Sequence, residues 1–101
     1  MLKVIKPSEI DSVKGTEIGI SDWITIDQER IDKFADATMD HQFIHVDSEK
    51  ATAVFGSTIA HGFLSLSLVA GIPFSQGIGM ILEGTKMGLN YGLDKVRFLS
   101  P

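Results

Sequence analysis

Apolar and polar positions alternate along Gly19-Ile20-Ser21-Asp22-Trp23-Ile24-Thr25-Ile26, and the β-branched residues among them predict a strand with one face packed. The period then changes. Ile31, Phe34, Ala35 and Thr38 fall at helical spacing, Asp27 fits the N-cap, and Ile26 with Ile31 occupies the two positions of a hydrophobic staple. This amphipathic helix is expected to end near Met39. From Asp40 to Asp47 neither period holds, which predicts a loop. Ser48-Glu49-Lys50-Ala51-Thr52-Ala53 reads as a short capped helical turn, and Phe55-Gly56-Ser57 as a break.

A second helix is predicted from Gly62 to about Ile72, where Gly71 and Pro73 end it. Phe63, Leu64, Leu66, Leu68, Val69 and Ala70 cover nearly all its sides, so protein is expected to surround it. Gly77-Ile78-Gly79 and Gly84 form a flexible connection. Leu89, Tyr91, Leu93, Val96 and Phe98 lie within Lys86 to Leu99, an expected strand with an irregularity at Gly92 to Lys95. Two strands cannot wrap a helix that is apolar all round. Other chains must complete the sheet, or the sequence is a piece of a longer protein.

Composition narrows the class. With 101 residues, 44% hydrophobic and 22% charged, and with no internal repeat or linker, the chain reads as one globular domain. A formal charge of −4 without a Lys/Arg run carries no electrostatic footprint for nucleic acid or an anionic membrane surface, which favours a small-molecule partner. The absence of cysteine excludes a thiolate nucleophile and suits the cytoplasm. The apolar stretch Ile59 to Phe74 is shorter than a membrane span and is interrupted by His61, Ser65, Ser67 and Pro73.

The candidate chemistry lies in Asp40-His41-Gln42-Phe43-Ile44-His45-Val46-Asp47 and Phe55-Gly56-Ser57-Thr58-Ile59-Ala60-His61-Gly62. A carboxylate and an imidazole together can hold and deprotonate a water, and the free N–H at a helix start can polarise a carbonyl. Asp40, His45 and Gly62 supply these three parts. His41 and His45 also stand at one-turn spacing, a near miss to a zinc-protease motif. Gln42, however, stands where that motif needs its general-base Glu, so no metal is expected. His61 is read as bonding a backbone group near the helix start rather than as catalytic. Gly77-Ile78-Gly79 lacks the third glycine of a dinucleotide fingerprint, Ser65 and Ser67 lack a nucleophile elbow, and the Asp27, Glu29, Asp32, Asp36 cluster reads as a solvated helix face.

The run Phe34-Ala35-Asp36-Ala37-Thr38-Met39-Asp40-His41-Gln42-Phe43-Ile44-His45-Val46-Asp47, taken with Phe55 to Gly62, resembles the MaoC-like (R)-specific enoyl-CoA hydratase family. Within it the nearest pattern is the nodulation-protein-N-like branch, where His-Gln after the Asp is usual. The resemblance covers about Ser21 to Pro101. It implies an α+β hot dog fold: an antiparallel sheet wrapped round a central helix, here the one from Gly62, with two subunits joining their sheets as a homodimer. Family members continue with further strands, so the resemblance makes residues 1–101 the N-terminal portion of a single such domain, with the C-terminal strands missing from this chain. The common family form has Asn-Pro where this chain has Gln42-Phe43.

By the same resemblance, the water-activating pair is Asp40 and His45, and the oxyanion-hole donor is the Gly62 N–H. The implied enzyme is a hydro-lyase of fatty acid metabolism. It would hydrate trans-2-enoyl thioesters of coenzyme A or acyl carrier protein reversibly to (R)-3-hydroxyacyl thioesters, with no cofactor. The alternatives are a 3-hydroxyacyl-carrier-protein dehydratase and a non-catalytic hot dog subunit that pairs with an active partner.

Overall fold

The computed structural model describes residues 2–101. In chain order it forms strand β1 (Leu2–Ile5), a 3-10 turn at Pro7–Glu9, helices α1 (Ile10–Val13), α2 (Gln28–Thr38), α3 (Phe43–Val46), α4 (Ser48–Phe55) and α5 (Gly62–Gln76), and strand β2 (Gly79–Leu82). The chain divides into two compact units, one formed by the residues up to Trp23 with Ala70–Val96, the other by Ile24–Val69 with Arg97–Pro101. No helix among the described residues is long and apolar enough to cross a membrane.

In the first unit β1 and β2 pair in parallel, in register from Leu2 opposite Gly79 to Ile5 opposite Leu82. The sheet expected to be antiparallel is therefore represented by one parallel pair. A connection long enough to contain all five helices permits this, whereas a tight hairpin would impose the antiparallel sense. Ile5 is buried, and its carbonyl accepts from the Glu83 N–H at 2.7 Å just past the ladder. Asp22 N–H donates to Gln76 Oε1 at 2.7 Å.

The strands expected at Gly19–Ile26 and Lys86–Leu99 carry no ladder here, and Trp23 and Tyr91 stand fully exposed. Alternation marks a face but names no partner, and a ladder needs a neighbouring strand to take up the segment's N–H and C=O groups. Conversely, Gly79–Leu82, expected as part of a flexible connection, is a strand because β1 is beside it.

The second unit is built on helix ends. Asp27 caps α2 as expected, its carboxylate accepting from Arg30 N–H at 2.9 Å, while Ile31 and Ala35 turn inward. Met39 ends α2 in the left-handed region at φ 64°, a conformation that costs a non-glycine residue about 1–2 kcal/mol. That turn sets the direction in which Asp40 leaves the helix. The segment 40–47 is not wholly loop, because Phe43–Val46 closes one helical turn, too short to display a helical period in sequence. Asp47 then caps α4 by accepting from Lys50 N–H at 3.1 Å, and Gly56 at φ 82° ends it, since only glycine enters that region without a Cβ clash.

Helix α5 starts at Gly62 as predicted but runs past Pro73 to Gln76. A proline deletes only its own bond to the carbonyl four residues back, and the bonds on either side of it persist. Among the described residues this helix is not enclosed as expected: Leu64 is its one buried residue, while Phe63 and Val69 are 68% exposed and Phe74 is 82% exposed.

Candidate active site

Three elements of the second unit meet at His45. The ring sits on α3 and is 7% exposed. Its Nδ1 lies 2.8 Å from the Ile59 carbonyl, and the Ile59 N–H donates to the Ile44 carbonyl at 2.9 Å, so the strap before α5 is tied to α3 by two bonds. Gln28, from the first turn of α2, adds a third tie. Its Nε2 donates to the His45 carbonyl at 2.8 Å and to Asp32 Oδ1 at 2.8 Å, while its Oε1 accepts from Thr58 Oγ1 at 2.6 Å. Sequence reasoning missed Gln28, and no local signal could have found it, because its partners are 17 and 30 positions away. Gln28→Ala is expected to lower stability by about 1–2 kcal/mol, the net loss of one or two neutral hydrogen bonds, measured by urea denaturation.

The Ile59 bond fixes more than orientation. A carbonyl oxygen only accepts, so Nδ1 carries the proton and the neutral ring presents a lone pair at Nε2. That nitrogen lies 3.9 Å from Asp40 Oδ2. The gap is too wide for a direct hydrogen bond and suits one water oxygen in contact with both groups. Asp40 itself is half exposed, with Oδ1 3.4 Å from the Gln42 N–H.

His61 completes the cluster. Its ring is 3% exposed and stacks on His45 with centroids 3.7 Å apart and planes inclined by 21°. It bonds a backbone group, as expected, but the group is the Asp40 carbonyl, 3.0 Å from Nε2. Because that acceptor is also a carbonyl, Nε2 carries the proton. The buried Nδ1 has no hydrogen-bond partner among the described residues.

Gly62 is the first residue of α5, where an N–H has no intrahelical acceptor. A Cβ at this position would stand 2.6–2.8 Å from the Phe98 ring, so only glycine lets that ring close over the helix start. His45, Ile59, Ala60, Gly62, Ser65 and Phe98 line a cavity of about 400 Å³, which Leu99, Ser100 and Pro101 complete. Asp40 is not part of this lining.

The two histidines at one-turn spacing do not converge. His41 turns outward and pairs with Asp36 at 2.8 Å, half exposed. Ligand atoms of Asp40, His45 and His61 do lie within 4.8 Å of one another. Two near-parallel imidazoles in van der Waals contact do not aim both Nε2 lone pairs at one ion 2.0–2.1 Å away, and His61 Nε2 is already committed to the Asp40 carbonyl. As arranged, the donor set does not fit a metal centre.

A carboxylate, an imidazole with a free lone pair and a helix-start N–H are the parts that acid/base chemistry at a carbonyl compound requires. Residues 9–101 match the MaoC like domain, and the chain belongs to that family. It is 59% identical over 96 residues to Nodulation protein N of Rhizobium leguminosarum bv. viciae, covering 93% of this chain and 58% of the relative. It is 50% identical over 95 residues to 3-hydroxyacyl-thioester dehydratase Z of Mycobacterium tuberculosis, covering 93% of this chain and 61% of the relative. Protein MaoC of Klebsiella aerogenes is 30% identical over 78 residues, covering 76% of this chain and 22% of the relative. The chain thus spans about three fifths of the length of the first two relatives. Family membership implies the hot dog fold, and the mixture of helices and a small sheet is consistent with α+β architecture.

Proposed function

We propose that the protein is a hydro-lyase that adds water reversibly across the 2,3 double bond of a trans-2-enoyl thioester, giving the (R)-3-hydroxyacyl thioester. The observation that carries this reading is the tautomer of His45. With Nδ1–H held by the Ile59 carbonyl, Nε2 is left as a base 3.9 Å from the Asp40 carboxylate. In the hydration direction Nε2 takes a proton from water, the resulting hydroxide oxygen bonds to C3, and the π electrons move toward the thioester oxygen. The Gly62 N–H stabilises the enolate charge at that oxygen, aided by the partial positive charge of the α5 start. Asp40 assists delivery of a proton to C2. The two groups exchange roles in dehydration, the direction named for the mycobacterial relative.

Hydration is redox-neutral, and each proton has a protein group to carry it, so the step calls on no cofactor. The thioester carrier is coenzyme A or acyl carrier protein, and the setting is cytoplasmic fatty acid metabolism. The reading also includes an antiparallel sheet completed by further strands and by a second subunit, supported by the exposed apolar residues of α5.

The test is incubation of the full-length protein with crotonyl-CoA and longer enoyl thioesters of both carriers. Loss of the conjugated enoyl absorbance should be followed, and the 3-hydroxy product resolved on a chiral phase. (R)-product is expected. No turnover on either carrier, or (S)-product, would overturn the assignment.

A further inference from the structure

We propose that His61 is a positioning residue of this site, holding Asp40 by its backbone and His45 by its ring face, so that the two groups stay at water-bridging distance. The proposal rests on the hydratase reading above. His61 is the most buried polar side chain of the second unit, at 3% exposed, yet it spends one nitrogen on the Asp40 carbonyl and leaves the other without a partner. A ring needed only to fill space would be better apolar, because burying an unpaired polar nitrogen is unfavourable. What an apolar ring could not supply is the Nε2–H bond.

That bond reaches the carbonyl of a residue whose side chain is half exposed and whose own side-chain contact, 3.4 Å to the Gln42 N–H, is long. His61 is thus the principal tie on Asp40. The stacked face does the second task. His45 and His61 overlap at 3.7 Å, and the Phe34 ring meets His61 with centroids 4.9 Å apart, so the His45 ring cannot tip without displacing its neighbour.

Two substitutions separate the tie from the stack. His61→Phe keeps a ring against His45 and removes the donor. His61→Gln removes the ring and offers an amide N–H near the place of Nε2. On enoyl-CoA, His61→Phe is expected to lower kcat by about 10²-fold, the scale of an ångström-sized misplacement, with KM little changed, and His61→Gln to regain much of that loss. Melting curves of both variants establish that they fold. Wild-type kcat in His61→Phe, or equal losses in the two variants, would leave His61 a packing role only and overturn the proposal.

Nitrogen-15 imidazole spectra of the wild-type protein provide a readout that needs neither variant. They should give His61 protonated at Nε2 and His45 at Nδ1; His61 protonated at Nδ1 instead would overturn the proposal even if the variants fail to fold. A wild-type protein inactive on every thioester but carrying this tautomer pair would sink the hydratase reading while retaining His61 as the holder of Asp40 and His45.

Discussion

Asp40→Asn and His45→Gln are each expected to lower thioester hydration by about 10²–10⁴-fold, the usual contribution of a positioned general acid or base. An asparagine in place of Asp40 would keep the shape of the side chain and a hydrogen-bonding oxygen, but it could neither accept nor return a proton. The variant is expected to melt with the wild type, because the Asp40 side chain is half exposed and, among the described residues, its one hydrogen bond is the long 3.4 Å approach to Gln42 N–H, with the His45 and His61 Nε2 atoms at 3.9 and 4.0 Å. His45→Gln is the harsher change to the fold. The ring is 7% exposed, bonded to the Ile59 carbonyl and stacked on His61, so a melting temperature a few degrees lower is expected beside the kinetic loss. Steady-state kinetics with melting curves on the same preparations would check both statements. In the proposed mechanism the two groups act on one water, so the double variant should lose far less than the product of the single losses. Full additivity, or wild-type turnover in either single variant, would remove the pair from the chemistry.

Gly62→Ala is expected to have the second largest effect, for a steric reason. Alanine is the better helix former, so local propensity alone favours the change. Its Cβ would nevertheless stand 2.6–2.8 Å from the Phe98 ring, closer than packed carbons approach. Forcing volume into a packed contact costs about 1–3 kcal/mol, and the lower end applies here because Phe98 is 50% exposed and its ring has room to swing. The ring also walls the cavity beside Gly62, so its displacement should raise KM for enoyl-CoA more than it lowers kcat. A double-mutant cycle isolates the clash. Phe98→Ala in the Gly62→Ala background should cost less stability than in the wild type, and additive losses would mean that the ring and the glycine do not meet.

The helix start at Asp27, its end at Met39 and the start of the apolar helix at Gly62 were legible in the sequence because each depends on residues within a few positions. A carboxylate caps the N–H groups just after it, and a period of 3.6 shows itself within eleven residues. The family was legible for another reason: two short runs carried a resemblance that the family match supports, and the assignment of Asp40, His45 and Gly62 as site residues rests on that resemblance. The α3 turn was not legible, being a single turn, and the strands were misread in both directions. Gly79–Leu82 looked like a connection and Gly19–Ile26 looked like a strand, because pairing depends on what lies alongside.

The sequence by itself determined the capped helices, the acidic and cysteine-free composition, and the placing of a carboxylate, an imidazole and a helix-start glycine within a 23-residue stretch from Asp40 to Gly62. Those follow from local hydrogen bonding, side-chain periodicity and residue chemistry. Only the tertiary structure decided which nitrogen of His45 keeps a free lone pair, because the Ile59 carbonyl that fixes the tautomer is 14 residues away. It likewise turned His41 out to Asp36 and brought His61 in to Asp40, and it set Gln28 behind His45. A histidine's role depends on the partner that each ring nitrogen meets, and partners distant in sequence are chosen by packing.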